Sequence, residues 1–258
     1  MNIAYNHKFF SFANSTRTKE GRPESKAFSL AEKLLKIKIV EFIVFIFERT
    51  IGSILNLPIP FYSTIMNMFI TNMPGLPRFS GMYIRSIYYR QKLELMESNV
   101  FIDQNVFIAY PSKTKLYEFS YIDKYVTLMA NSVSVGRRVH IAPRVIVTGG
   151  GDFLIEDYAC IATGSNIVTS TEVLKDGTRC SGPMVDPEQR VVLRGKVTIK
   201  KDAFIGANVT ILPNVTIEAG SVAGANVTIA KSTEPWGIYV GSKANKIAER
   251  EPVKWEDN

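Results

Sequence analysis

The sequence contains few of the side chains that build disulfides or metal centres. Its two cysteines, Cys160 and Cys180, lack Cys-x-x-Cys spacing, which favours a reducing cytoplasmic compartment. Of its two histidines, only His140 lies in a strongly patterned region. A catalytic zinc site needs about three histidine ligands, so we expect no metal. We also find no nucleic-acid motif, and residues 1–26 lack the apolar core of a signal peptide.

Charge is absent from residues 50–77, although the chain has a net charge of +7. The excess is concentrated in residues 1–98, which carry 13 Lys/Arg and 7 Asp/Glu, against 18 and 17 in the remainder. Pro58 and Pro60 predict two short helices in the uncharged run, not one membrane span. Their apolar faces would pack on the rest of the protein, on a partner subunit or in a membrane interface, and ordinary packing is favoured.

Three further segments complete the N-terminal region. Residues 1–26 are poor in aliphatic side chains, and we expect a flexible arm. The region 27–98 should be helical, beginning at Ala27 with Ser29 as a candidate N-cap. Residues 78–92 alternate cations with aromatic residues. They predict either a segment at a lipid headgroup layer or a helix with inward tyrosines and solvated arginines.

A six-residue repeat fills residues 197–232, which read VTIKKD, AFIGAN, VTILPN, VTIEAG, SVAGAN and VTIAKS. The third position of each block is Ile or Ala, and the last two positions are mostly polar or Gly. This period predicts short strands and tight turns stacked as a parallel β-helix, because each block can bury its aliphatic residues only against neighbouring blocks. Less regular blocks begin at Asn99, so we expect a solenoid domain over 99–232.

Two segments depart from the repeat. Residues 170–195 are too polar and too long for a turn, and we expect a projecting loop that reaches a neighbour or covers a site. Residues 233–258 should cap the open end of the solenoid, with a short basic helix from Ala244 to Glu251.

The blocks resemble those of the hexapeptide-repeat acyltransferases over residues 99–250. The closer match is to bacterial acetyltransferases acting on surface polysaccharides or nucleotide-linked amino sugars, and it rests on VHIAP (139–143), GGG (149–151), SGPMVDP (181–187) and PWGIYVG (235–241). Lys243 stands where the family usually has proline. The resemblance implies a left-handed parallel β-helix, acetyl-CoA as cosubstrate and a homotrimer with sites between subunits.

His140 is the leading candidate for a catalytic base. It precedes the inward-facing Ile141, so strand alternation turns it outward, where a neutral imidazole can accept a proton. It could equally be an ordinary surface histidine. Many relatives have their catalytic histidine in the projecting loop, where TSTEV (169–173) offers Glu172 but no histidine, and others have it just before a block like AFIGAN, where Asp202 stands. Either carboxylate could orient His140, act as a weaker base, or be a solvated turn residue.

The donor site is expected at turns of the last coils and in the basic segment after them. Small residues let a ligand approach backbone N–H groups that could hold the thioester oxygen, and cations could pair with the phosphates of CoA. A simple turn and a solvated cap are the alternative interpretations. The candidates are Gly206, Ala207, Gly224, Ala225, Lys231, Lys243, Lys246 and Arg250.

Together these features predict an acetyl-CoA-dependent sugar O- or N-acetyltransferase of surface polysaccharide synthesis, such as O-antigen (lipopolysaccharide) or capsule. The acceptor would be a carbohydrate or a nucleotide sugar. The alternative is a non-catalytic trimeric scaffold, because a histidine is absent from both of the places where relatives usually have one. We expect a cytoplasmic protein. The basic N-terminal third makes peripheral association with the inner membrane face a further hypothesis.

Overall fold

The computed structural model describes residues 2–72, 78–174, 178–241 and 245–249. Helices occupy the N-terminal region: α1 (His7–Lys19), α2 (Lys26–Leu35), α3 (Lys38–Leu55), α4 (Pro60–Asn72) and α5 (Arg78–Arg90). The predicted break at Pro58–Pro60 is confirmed, because α3 ends at Leu55 and α4 begins at Pro60.

The rest of the chain is a parallel β-solenoid of about seven turns with three strands in each complete turn. The first three turns contain β1 (Leu95–Met96), β2 (Phe101–Ile102), β3 (Phe107–Ile108), β4 (Thr114–Leu116), β5 (Tyr121–Ile122), β6 (Thr127–Leu128), β7 (Ser132–Val135), β8 (His140–Ile141) and β9 (Ile146–Thr148). The fourth contains β10 (Asp152–Ile155), β11 (Cys160–Ile161) and β12 (Asn166–Val168), and the projecting loop follows with β13 (Ser170–Glu172) and β14 (Val192–Arg194). The later turns contain β15 (Lys196–Ile199), β16 (Phe204–Ile205), β17 (Thr210–Ile211), β18 (Thr216–Ile217), β19 (Val222–Ala223), β20 (Thr228–Ile229) and β21 (Gly237–Val240), and β22 (Asn245–Glu249) ends the described chain.

Equivalent strands of successive turns pair in register and form three sheets. In the second sheet Ile122 lies beside Ile141, Ile141 beside Ile161, and Ile161 beside Ile205, and all four are fully buried. Burying an isoleucine side chain contributes about 1.5–3 kcal/mol. This column therefore fixes the register, because a slip of one residue would turn these side chains outward.

The polar ends of the repeat blocks form the corners of the solenoid. Asn208, Asn214 and Asn226 have positive φ angles of 55°, 62° and 61°. Asparagine tolerates this left-handed region better than most side chains, so the blocks ending in Asn turn the chain sharply. The tight turns predicted from the repeat are confirmed.

The flexible arm predicted at the N-terminus is wrong for the residues described there. Ile3, Ala4 and Tyr5 are buried, Asn6 caps α1, and the Tyr5 ring packs on Phe101 of β2 with centroids 5.3 Å apart. The apolar character of residues 1–26 comes mainly from aromatic side chains. The prediction of a flexible arm counted only aliphatic side chains and therefore missed it. The N-terminus of α2 is likewise capped by Ser25 instead of Ser29.

Helix α5 closes the first turn of the solenoid. Tyr88 and Tyr89 are buried, and the Tyr89 hydroxyl donates to the carbonyl of Val106 at 3.2 Å. Arg85 is also buried and forms an ion pair with Asp103 at 3.6 Å. The prediction of inward tyrosines is confirmed. Tyr88, Tyr89 and Arg85 are buried against the end of the solenoid. The prediction of a lipid headgroup layer is therefore wrong for these three side chains, and the prediction of solvated arginines is wrong at Arg85.

The two departures from the repeat have different outcomes. The loop leaves the solenoid through β13 and β14, which pair antiparallel. The short C-terminal helix is wrong, because 245–249 form β22 and pair antiparallel with β21. The open edge of β21 offers backbone hydrogen-bond partners that an isolated basic helix would leave unused.

Candidate active site

His140 projects from β8 onto the outer face of the second sheet, as strand alternation predicts. Its side chain is 43% exposed, and its Nε2 lies 3.4 Å from Oδ2 of Asp123, which is only 14% exposed. The imidazole also stacks on the Tyr121 ring of the preceding turn, with centroids 5.0 Å apart and planes at 9°. An Nε2–H facing the carboxylate leaves the lone pair of Nδ1 available to accept a proton.

The groups beneath His140 are themselves held in place. The Tyr121 hydroxyl donates to Oδ2 of Asp103 at 3.1 Å, and Asp103 pairs with Arg85 of α5. Arg85 Nε also donates to the carbonyl of Ile102 at 2.8 Å. Desolvation lowers the pKa of Arg85, which the Asp103 carboxylate partly offsets. A chain of polar contacts therefore connects α5 with the ring on which His140 rests.

Helices α1 and α2 form the opposite wall of a cleft over His140. The cleft encloses about 510 Å³. Its walls are mainly aromatic and include three arginines, with His140 on the solenoid face. The residues that define this cleft most clearly are Phe12, Arg17, Arg22, Phe28, Tyr121 and Arg138. Aromatic rings and guanidinium groups together suit a ligand with a planar apolar part and negative charge.

The two candidate carboxylates lie elsewhere in the solenoid. Glu172 is on β13, at the base of the projecting loop, and accepts a hydrogen bond from Ser181 Oγ at 3.2 Å. Asp202 lies in the corner before β16 with a positive φ of 60°, and its N–H donates to the carbonyl of Asp157 at 3.2 Å. Strand β11 separates β8 from β16, so the fold places these three candidates on different parts of one chain.

The backbone amides in the turns predicted to bind CoA differ in whether they already donate a hydrogen bond. The N–H of Gly206 donates to Ala223 at 2.7 Å and that of Gly224 to Tyr239 at 2.8 Å, so both are used by the solenoid. A Cβ at Gly206 would lie 2.7–2.8 Å from the backbone of the next turn, which explains the glycine by packing. Within the described ranges, the N–H groups of Ala207 and Ala225 make no hydrogen bond. These two amides are available to a ligand.

The basic candidates after the last turn are less uniform than the sequence suggests. Lys231 is exposed. Lys246 pairs with Glu234 at 2.5 Å and with Glu249, and the hydrogen bond to Glu234 is the main cause that raises its pKa. Lys243 and Arg250 lie outside the described residues. Lys231 is therefore the described cation in this set that carries no acidic partner here.

Other reactive groups near the site are few. Cys160 lies beside His140 in the second sheet, and burial raises the pKa of its thiol, which opposes thiolate formation. Among the residues described, no group of three His, Cys, Asp or Glu side chains is arranged to hold a metal ion.

Residues 196–231 match the family model described as bacterial transferase hexapeptide (six repeats). The chain is also 30% identical over 131 residues to the dTDP-4-amino-4,6-dideoxy-D-glucose acyltransferase of Escherichia coli, covering 50% of this chain and 68% of that enzyme. The chain therefore belongs to the hexapeptide-repeat acyltransferase family, and its solenoid is a left-handed parallel β-helix.

Solved structures point to the same family. AntD, an N-acyltransferase from Bacillus cereus solved with dTDP and 3-hydroxybutyryl-CoA, is 28% identical with a TM-score of 0.59 over 63% of this chain and 86% of AntD. A variant of AntD solved with dTDP-4-amino-4,6-dideoxyglucose and coenzyme A has the same identity and TM-score, over 62% and 86% of the two chains.

Sequence reasoning found His140 but missed its partners. Asp123 and Tyr121 lie in the preceding turn, and Tyr121 pairs with His140 in the strand register. The signal was present in the segment YID (121–123), where residues two apart face the same way. The wall formed by α1 and α2 was missed because residues 1–26 were expected to be unstructured.

Proposed function

We propose that this protein transfers an acetyl group from acetyl-CoA to a nucleotide-linked sugar in surface polysaccharide synthesis. The observation that carries the proposal is the His140 imidazole, held by Tyr121 and Asp123 at the edge of the cleft. The relatives that act on dTDP-4-amino-4,6-dideoxyglucose support an amino group as the acceptor. A sugar hydroxyl is the alternative acceptor at the same site.

The chain's own groups account for the proton movements. His140 Nδ1 accepts the proton of the attacking amine or hydroxyl, while Asp123 stabilises the imidazolium that forms. The N–H of Ala207 stabilises negative charge on the thioester oxygen. Acetyl-CoA supplies the acyl group as a thioester. His140 then returns its proton to the departing sulfur, so the products are the acetylated sugar and the free CoA thiol.

The cleft supports an anionic nucleotide sugar as acceptor. Arg138 lies over the rings of Phe119 and Tyr158 at 5.1 and 5.9 Å, and it lines the same cleft as His140. Arg17 of α1 faces the same space, with its Nε bound to the carbonyl of Pro23. The two cations suit a diphosphate, and the aromatic wall suits a base.

We also propose a cytoplasmic homotrimer. The outer face of the third sheet carries exposed Phe107 and Ile146, and Tyr125 and Met129 lie nearby, so an apolar patch runs along the solenoid. A parallel neighbour would cover this patch and bring its own loop toward a site. Two free cysteines are consistent with a reducing compartment. Light scattering coupled to size exclusion measures the oligomer, and a monomer would contradict this assignment.

The activity is tested with the full-length protein, acetyl-CoA and dTDP-4-amino-4,6-dideoxyglucose. We expect CoA thiol release together with an N-acetylated nucleotide sugar, detected by a thiol reagent and by mass spectrometry. Calorimetry with acetyl-CoA alone separates this enzyme from a scaffold. Absence of binding at millimolar acetyl-CoA would support the scaffold and reject the transferase.

A further inference from the structure

Helix α3 has two apolar sides, and only one is used within the protein. Its inner side approaches α5 closely, because a Cβ on Gly52 would meet the Gln91 side chain and the Ile87 carbonyl. Its outer side carries a stripe of exposed residues at spacings of three and four, which is one face of a helix. The stripe contains Ile39, Phe42, Ile43, Ile46, Phe47 and Ile54.

Apolar side chains are also exposed on α2, on α4 and in the connections on either side of α3. The α3–α4 connection adds exposed Leu57 and Ile59, and Phe61 in the first turn of α4 is 78% exposed. The remaining members are Leu30 and Leu34 of α2, Ile37 between α2 and α3, and Ile65, Met68 and Phe69 of α4. We call the whole set the α2–α4 apolar face. So many exposed apolar side chains in one run of helices indicate an interaction site.

The charges around the face are mostly positive. Lys33, Lys36 and Lys38 are exposed at the α2–α3 junction, whereas residues 50–77 carry no charge. Of the three acidic residues in 26–72, Glu32 pairs with Lys36 at 2.7 Å, Glu48 is buried and Glu41 is half-buried on α3. The face therefore combines an uncharged apolar connection with a lysine-rich margin.

We propose that the α2–α4 apolar face binds an anionic lipid surface. Lysine beside an apolar helical surface is typical of interfacial membrane binding, whereas lysine is depleted at protein–protein interfaces. No single helix among the described residues is long and apolar enough to cross a bilayer; α3 and α4 reach that composition only as a pair bent by 117°. We therefore place the helices along the lipid boundary, with Phe61 and Ile59 entering the acyl region.

Lipid binding at this face would also orient the molecule. Helix α5 packs on β1 and β2, so the helical region lies at the first-turn end of the solenoid. Helix α2 both carries part of the apolar face and walls the cleft over His140. Lipid binding would hold this cleft close to the membrane surface. The lipid interaction itself is independent of the acyl-transfer chemistry.

The test is flotation of the full-length protein with vesicles of phosphatidylcholine alone or mixed with phosphatidylglycerol. We expect binding to the mixed vesicles that weakens at high salt. Ile43→Glu and Phe61→Glu should each reduce the bound fraction about tenfold or more, because a carboxylate is costly in the acyl region. Leu174→Glu is a matched control, since Leu174 is 62% and Ile43 60% exposed, and it should bind like the wild type.

Lysine substitutions test the charge component separately. Replacing Lys33, Lys36 or Lys38 by serine should weaken binding to phosphatidylglycerol vesicles about fivefold each and leave phosphatidylcholine vesicles unaffected. The proposal is overturned if the protein floats with neither kind of vesicle. The proposal is also overturned if the protein binds no vesicles and Ile43→Glu lowers its oligomeric mass in solution. That result would make the face an interface between copies of the chain.

Discussion

His140 lies flat against Tyr121, and its other contact is with Asp123 two residues further along that preceding turn. Stacking fixes the plane of the imidazole, and the carboxylate fixes its rotation within that plane. One side of the ring is thus left for an acceptor in the cleft. These two contacts orient the imidazole, as the proposed role of His140 as a base requires.

Removing the base is the most direct test. His140→Asn should lower kcat about 100-fold to 10,000-fold, because the acceptor loses its general base. The KM for acetyl-CoA should change little, since His140 is proposed to take the proton of the acceptor and is not among the groups assigned to CoA. Circular dichroism should be unchanged. Full activity of this variant would contradict the assignment.

Asp123 acts through His140 and should show a smaller effect. Asp123→Asn should lower kcat about tenfold with unchanged KM values, because the amide can hold the ring but does not stabilise the imidazolium. In the double variant with His140→Asn, the Asp123 substitution should have no further effect on kcat. Additive losses would indicate a structural role for Asp123 instead.

The repeat made the solenoid predictable because a single rule governs it. Each aliphatic side chain at a third position, such as Ile199 or Ile205, buries against its counterpart one turn away. The pairing of Tyr121 with His140 could not be read as easily, because the two residues are 19 positions apart, one more than three blocks of six. The partners of the base therefore depend on a register that the local pattern does not supply.

The segments outside the repeat were less predictable for a different reason. The order of residues 3–19 comes from aromatic contacts with Phe101 and Tyr83, which lie about 80–100 positions away in the chain. Strand β22 forms because β21 presents an edge, although residues 244–251 have helical composition. In both cases tertiary contacts override local propensity.

A proline at Ala207 tests the free amide. Ala207 occupies the same corner position as Pro143 two turns earlier, as the stacking of β8, β11 and β16 shows, so the backbone should accept the substitution. Ala207→Pro should lower kcat about 100-fold to 1,000-fold, because one donor to the thioester oxygen is lost. Ala207→Ser, which keeps the N–H, is the matched control for the change of side chain and should retain activity. Equal activity of wild type and Ala207→Pro would remove this amide from the mechanism.

Arg138 is expected to bind the acceptor instead of catalysing its reaction. Arg138→Gln should raise the KM of a nucleotide-sugar acceptor about tenfold with little change in kcat, because one cation facing the diphosphate is lost. Arg138→Lys should recover part of the loss. Increasing salt should raise the wild-type KM toward that of the glutamine variant. A salt-independent KM would place the diphosphate elsewhere.

Glu48 of α3 gives a pH-dependent test of the N-terminal docking. Its carboxylate accepts the N–H of Ala4 at 2.8 Å and the hydroxyl of Tyr83 at 2.9 Å, yet desolvation raises its pKa above the ordinary 4.5. A folded-state pKa above that of the unfolded chain means that the native protein binds the proton more tightly. The stability contributed by Glu48 is therefore present below pH 4.5 and is lost as the pH rises through the folded-state pKa.

Substitutions at Glu48 and at Tyr83 should change the pH dependence of stability in opposite directions. Glu48→Gln cannot ionise, so the free energy of unfolding of the wild type relative to this variant should fall as pH rises from 4.5. Tyr83→Phe removes a hydrogen bond that lowers the pKa of Glu48, so its stability should fall more steeply over the same range. Urea unfolding at a series of pH values measures both. Parallel curves for the wild type and Glu48→Gln would mean that this carboxyl has the same proton affinity in the folded and unfolded chain, because only a difference between the two states can make stability depend on pH.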